Sequence, residues 1–208
     1  MNVFILNAGR SGSKTFARAC SHVTNYTSAH ESRSGLLGDA HFDYPDNHIE
    51  SDNRLAWLLG RLDRKYGERA FYVHLTRDRS AVAASWAKRA HTGMMNAYRH
   101  AILWHCPKGA TPLQVALDYY DTVEANIEFF LRDKSRWMPF RLEEGRERFP
   151  EFWSRIGAQG DLGAALAEFD VPHNVGWQRS PVAPGPFTVL GSKLYRIVRK
   201  LPVFLRNA

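Results

Sequence analysis

Apolar positions along this chain alternate between short continuous runs and helical stripes. Val3-Phe4-Ile5-Leu6 is a continuous apolar run that predicts a buried strand over 2–7, and a helical pattern follows over 13–22. A short strand is expected near 26–29, and then a polar stretch over 30–50, containing His and Gly, with few periodic apolar positions. Leu55, Leu58, Leu59 and Leu62 share one helical face, predicting a helix over 52–66 ended by Gly67. Phe71 to Thr76 reads as a second buried strand, ended by Arg77 and Asp78, with a helix over 80–90 that Ser80 can cap. Residues 91–110 suggest a helix and then a loop. Pro112 can open a long helix to about residue 132, with Leu113, Ala116, Leu117, Tyr120, Val123 and Ile127 on its inner stripe. A strand over 136–142, an irregular acidic stretch, and a helix over 160–169 capped by Asp161 complete the pattern. Strands alternating with helices predict a three-layer α/β fold: one domain with a central parallel sheet, helices on both faces, and ligands at the carboxyl ends of the strands.

The first turn carries the strongest chemical signal. Between strand and helix lie Ala8-Gly9-Arg10-Ser11-Gly12-Ser13-Lys14-Thr15. Backbone N–H groups of such a loop and the positive end of the helix dipole converge on one point, which makes an anion site. Gly9 and Gly12 allow backbone angles and a close approach that a side chain would block. Arg10 and Lys14 add full charges, while Ser11, Ser13 and Thr15 add hydroxyls. The loop is expected to hold a phosphate-like group.

As the nucleotide-binding pattern G-x-x-x-x-G-K-[ST] the match is degraded, because Ala8 and Ser13 replace both defining glycines. Read as [KR]-[ST]-G-[ST]-x-[ST], Arg10 to Thr15 resembles the 5′-phosphosulfate loop of sulfotransferases, which use 3′-phosphoadenosine-5′-phosphosulfate (PAPS) as donor. A second match lies downstream, where Arg77 ends a strand and Ser85 follows eight residues later, about two turns along a helix. Two turns rise ~12 Å, but the helix packs back beside the strand tip, so both side chains can reach one group. The resemblance implies that Arg77 and Ser85 bind the 3′-phosphate that separates PAPS from ATP. Arg79 stands where the family often has proline. Trp137 to Glu144 resembles the family's later strand ending in an acidic pair, and His173-Asn174-Val175-Gly176 its Asn-containing stretch after the last core helix.

Composition narrows the partners. With 208 residues and 44% hydrophobic content the chain can build one sizeable core. Its apolar runs are too short to span a bilayer, and Met1 leads directly into the first strand, so neither a signal peptide nor an anchor is expected. Cys20 and Cys106 suggest no disulfide framework, which suits a reducing cytoplasm. A net charge of +7 fits a polyanionic nucleotide. Nucleic acid finds no supporting motif, and the aromatics do not interleave with basic residues as a stacking platform would. Over 191–208, Leu194, Ile197, Val198 and Leu201 form a stripe beside Lys193, Arg196, Arg199 and Lys200. This basic amphipathic segment either packs on the body or lies on a membrane surface as a peripheral contact. The resemblance adds a third role, closing over the 3′-phosphate through Lys193.

Sulfuryl transfer is an in-line displacement that needs no covalent enzyme intermediate, so the site must orient donor and acceptor, neutralise the leaving oxygen and accept a proton. Arg10 occupies the position of the family's catalytic lysine and can act only as a fixed charge, since guanidinium keeps its proton. Lys14 is a candidate partial substitute. His30-Glu31 resembles the His-Glu pair that often follows the loop in bacterial and carbohydrate sulfotransferases, where Glu is commonly the base. His41, His48, His105 and Glu50 are further candidates, in regions expected to line the acceptor pocket. No histidine pair has convincing metal-ligand spacing. Tyr98, Trp104 and Tyr119 would suit stacking on a carbohydrate acceptor. Two other functions remain open: a kinase or nucleotidase using ATP and Mg²⁺, with Lys14-Thr15 on the phosphates and Asp78 ending a metal-binding strand, and a non-catalytic nucleotide-binding or membrane-peripheral scaffold.

Overall fold

A computed structural model of the protein describes residues 1–171, which fall within one compact unit. The expectations for 173–176, for the segment 191–208 and for Lys193 lie outside the described residues. Five strands form one parallel sheet: β1 (Val3–Leu6), β2 (Thr27–His30), β3 (His48–Ser51), β4 (Phe71–Thr76) and β5 (Trp137–Arg141), in the order β2-β3-β1-β4-β5. β1 is therefore central, with Phe4 in register with Glu50 on one side and Tyr72 on the other.

Among the described residues, seven α-helices accompany the sheet: α1 (Ser13–Cys20), α2 (Leu59–Tyr66), α3 (Arg79–Ala87), α4 (Gly93–Ala97), α5 (Pro112–Leu131), α6 (Gly145–Arg155) and α7 (Leu162–Ala167). Because side chains alternate along a strand, the apolar run of β1 serves two cores. Phe4 and Leu6 pack with Tyr72 against Leu62 of α2, Val82 of α3 and Tyr119, Val123 and Ile127 of α5. Val3 and Ile5 pack with Val73 against Phe16 and Ala19 of α1, Phe149 and Phe152 of α6 and Ala165 of α7. Helices on opposite faces thus flank one strand end. That is the topological switch point where such sheets take ligands.

Several elements differ from the sequence expectation. β3 crosses the stretch expected to be loop, because its polar residues His48 and Glu50 are buried in hydrogen bonds rather than hidden by apolar alternation. The 52–66 helix splits into a 3-10 turn, Asn53–Trp57, and α2, which Gly67 ends at φ 47°. α3 is capped by Asp78, whose carboxylate accepts from Ala81 N at 2.8 Å, and Ser80 only donates to that carboxylate. A capping box between Thr111 and Gln114 starts α5 at Pro112. Of its expected inner stripe, Ala116, Tyr120, Val123 and Ile127 are buried, joined by Val115, Tyr119 and Leu131, while Leu113 is exposed. α6 occupies the supposedly irregular acidic stretch. Pro150 and the charged residues mask its apolar pair Phe149 and Phe152.

Phe16 fastens α1, and with it the preceding loop, to the sheet. Its ring makes edge-on contacts with Phe140 at 4.9 Å, Phe149 at 5.5 Å and Phe152 at 4.9 Å. Such pairs contribute beyond area burial alone. Phe16→Ala should destabilise the protein by about 3–5 kcal/mol, read as a lower denaturant midpoint at unchanged slope; a loss below 1 kcal/mol would contradict this role.

Candidate active site

The loop between β1 and α1 is held open by its backbone. Gly9, Arg10 and Gly12 all have positive φ, at 73°, 59° and 87°. A Cβ on Gly9 would sit 2.7 Å from the Trp86 ring, and one on Gly12 would run into the Leu142 side chain. Asn7 accepts from Gly9 N at 2.8 Å, Ser11 donates to Gly9 O at 3.2 Å, and the Trp86 indole donates to Ala8 O at 3.0 Å. Ser51, at the end of β3, donates to Ser13 O at 3.3 Å. The loop's shape is fixed from both faces of the sheet.

Onto this loop converge three guanidinium groups. Arg10 Nε donates to Ser85 Oγ at 2.9 Å, and Arg77 Nη1 donates to Arg10 O at 3.3 Å. Arg89, four residues past Ser85, donates to Ser85 O at 3.0 Å. Burial and then the charges of Arg89 and Arg77 hold the Arg10 pKa below its ordinary value. None of the three has a carboxylate within 4.0 Å among the described residues. The two clusters singled out from sequence, Arg10 to Thr15 and Arg77 with Ser85, are therefore in contact. Arg89 escaped sequence reasoning, although a basic residue one helical turn past Ser85 was a usable signal.

The remaining loop residues divide. Ser11 is fully buried and its hydroxyl is used within the loop. Lys14 is exposed with no hydrogen bond or ion pair among the described residues, and Thr15 is partly exposed. Ser13 Oγ lies 3.0 Å from His30 Nε2, so the end of β2 touches the loop directly. Glu31, at φ 54°, points elsewhere: its carboxylate pairs with Arg54 at 3.0 Å. Arg54 also approaches Asp52 at 3.5 Å.

No family model matches the sequence, and no curated protein matches it. Among solved structures, the "Sulfotransferase Domain from the Curacin Biosynthetic Pathway" superposes with a TM-score of 0.59 over 82% of this chain and 78% of that one, at 15% identity. The chain has a sulfotransferase-like fold. At that identity the likeness is one of architecture: a central parallel sheet with helices on both faces.

Within the sulfotransferase-like fold, the other proton-acceptor candidates are tied up or remote. His48 Nε2 meets Glu50 at 3.0 Å, His48 Nδ1 meets Thr27 Oγ1 at 2.8 Å, and the fully buried Glu50 also accepts from the Ser32 backbone N–H and hydroxyl. His41 is buried, with Nδ1 against the Leu36 carbonyl at 3.1 Å. His105 lies in a separate surface pocket with Arg99, Trp104 and Lys108. Of the three aromatics suited to a sugar, Tyr98 and Tyr119 are buried against each other and against Trp57 and Trp86, so neither is free to stack flat on a sugar.

Two outcomes follow from this geometry. Like charges near Arg10 cost stability until an anion arrives, so Arg89→Gln should raise the melting temperature of the free protein. The same change should weaken inorganic pyrophosphate binding about 10- to 100-fold, as expected for a lost charged hydrogen bond; thermal melting reads the first outcome and calorimetric titration the second, and unchanged affinity would remove Arg89 from the site. For Glu50, burial raises its pKa, but the bonds from His48 and Ser32 outweigh burial and leave it lowered. A carboxyl held low when folded contributes stability that is complete above its unfolded value and lost as pH falls through the folded one. The stability gap between wild type and Glu50→Gln should therefore be widest near neutrality and narrow below about pH 4, measured by urea unfolding across pH.

Proposed function

We propose that this protein is a sulfotransferase that moves the sulfuryl group of PAPS to a hydroxyl acceptor. The carrying observation is the set of three arginines, without acidic partners among the described residues, gathered on a glycine-shaped loop at the end of the central strand. A dianionic phosphate suits that set, because forked guanidinium donors match phosphate oxygens and relieve mutual repulsion. The sulfotransferase-like fold supports the reading.

In this reading the 5′ end of the donor sits on the backbone N–H groups of residues 11–15, with Lys14 and the hydroxyls of Ser13 and Thr15 at its oxygens. Arg77, Ser85 and Arg89 take the 3′-phosphate. Arg10, whose side chain already reaches Ser85, sits between the two ends and supplies fixed positive charge near the leaving oxygen. The donor contributes a sulfuryl group that leaves in line, the old bridging oxygen keeping the electron pair as the new S–O bond forms. His30 receives the acceptor's proton. It is the candidate base in direct contact with the loop, through Ser13. Glu31 is held by Arg54 and orients the His30 turn rather than taking the proton. The kinase alternative needs Asp78 free for Mg²⁺, and that carboxylate is engaged in capping α3.

Adenosine 3′,5′-bisphosphate should raise the melting temperature, ATP with Mg²⁺ should do so less, and Arg77→Ala should remove most of the bisphosphate effect. His30→Ala should keep that shift and lose about 10²- to 10⁴-fold in transfer rate from labelled PAPS. A larger shift with ATP and Mg²⁺ would overturn the reading in favour of a kinase. Full binding without transfer to any acceptor would favour a scaffold.

A further inference from the structure

A cavity of about 480 Å³ is lined in part by Arg54, the ion-pair partner of Glu31. Its walls come from the loop after β2, the turn after β3, and α4 with the π-type turn Tyr98–Ile102 that extends it. Apolar groups dominate: Leu36, Trp57, Leu58, Met94, Tyr98 and Ile102. Large apolar side chains are also left at the surface here, with Leu37 90%, Ile102 55% and Leu36 43% exposed. A soluble surface keeps such a patch where something covers it.

Arg54, Arg61, Ser34 and Tyr98, polar residues of this cavity's lining, are already engaged, and the unpartnered His41 Nε2 and Trp57 Nε1 are themselves buried from its surface. Arg54 is paired with Glu31 at 3.0 Å and with Asp52 at 3.5 Å. Arg61 lies over the Phe42 ring at 4.7 Å and reaches Asp39 at 3.5 Å. Ser34 donates to Glu31 O at 3.1 Å. Tyr98 OH is held by Asp118 at 2.6 Å and Thr122 at 2.9 Å, and burial followed by the Asp118 bond pushes its pKa up to about 12. The phenol hydroxyl is therefore already committed to partners outside the cavity lining. A polyhydroxyl ligand would leave its own hydroxyls unpaired against this wall, each at a desolvation cost. A chain of methylenes would meet no such cost.

Contacts also join the cavity to the chemistry. Arg54 lines it and grips Glu31. The residue before Glu31 is His30, whose ring touches Ser13 of the anion loop.

We propose that this cavity holds the acceptor, and that the acceptor is an alcohol with an extended apolar chain rather than a sugar. This rests on the sulfotransferase reading above. The apolar body lies along Leu36, Met94 and Ile102, and its hydroxyl end reaches past the Arg54–Glu31 pair toward His30. The acceptor O–H bond breaks with its proton going to His30, as the oxygen forms the new bond to sulfur and the bisphosphate departs with the old bonding pair.

The test uses the full chain saturated with adenosine 3′,5′-bisphosphate, titrated calorimetrically with primary alcohols from hexanol to dodecanol and with methyl glucoside. Affinity should rise about three- to fourfold per methylene until the cavity is filled, with a negative heat-capacity change. Methyl glucoside should not bind. Ala97→Trp, an exposed wall position that can block the cavity without opening the core, should abolish alcohol binding and leave the bisphosphate melting shift intact. Met94→Asp should do the same by charge. With labelled PAPS, KM should follow the same chain-length trend while kcat stays level. Absent alcohol binding, binding indifferent to both variants, or equal use of methyl glucoside would overturn the proposal. Loss of the bisphosphate shift in the wild-type protein would instead sink the donor-site reading.

Discussion

Arg10, Arg77 and Arg89 are held together without a carboxylate among the described residues to neutralise them, and much of the surrounding architecture keeps them there. Left free, three like charges would separate, since each long side chain has water and many rotamers available. Here each is restrained by a different element. Arg10 sits between two glycines in a left-handed backbone, and its guanidinium is drawn to Ser85. Arg77 stands at the tip of β4, where its carbonyl accepts from Tyr120 OH at 3.3 Å. Arg89 is tied to the Ser85 carbonyl just past the end of α3. Folding thus stores repulsion at one point, and an anion placed there converts it into binding.

That arrangement depends on close packing at two glycines. Trp86 comes from α3 on one face of the sheet, and its indole both fills the space beside Gly9 and holds the Ala8 carbonyl. Leu142 follows β5 and fills the space beside Gly12. Phe16, one turn later, is locked among Phe140, Phe149 and Phe152. The loop is therefore clamped by residues far apart in sequence, and packed cores deform little. On the proposed function, a loop with this support meets a phosphate already ordered.

The parts of this structure legible in the sequence are those whose signal is local. A continuous apolar strand, a glycine turn and a following amphipathic helix lie within the first 20 residues, so the switch-point loop could be placed from them alone. Arg77 and Ser85 were singled out through the family resemblance that their spacing along one strand-helix unit carries. β3 was not, because His48 and Glu50 owe their burial to Thr27 and Ser32, partners 18 to 21 residues away. α6 was hidden by Pro150 and charge, with its two phenylalanines meaningful only once Phe16 is beside them. Asp78 displaced Ser80 as the α3 cap because the strand leaves its carboxylate within 2.8 Å of Ala81 N. Where a residue's role was fixed by partners distant in sequence, periodicity had nothing to register.

The same distinction separates the two halves of the proposed site. Anion recognition needs backbone N–H groups and a few charges at set spacing, and such a pattern can be written in a short stretch of sequence. Shape recognition of an apolar body needs walls, and these come from residues 34–41, 54–61 and 94–102, each unremarkable by itself. Leu36 and Leu37 read as stray apolar residues in a polar loop until Met94 and Ile102 stand opposite them. What turns that collection into a selective surface is the prior engagement of Arg54 by Glu31 and Asp52 and of Tyr98 by Asp118 and Thr122. The pair Arg54–Glu31 thus acts in both halves at once. It neutralises a charge in the lining of the apolar cavity, and it holds the residue next to His30, whose ring touches Ser13 of the loop.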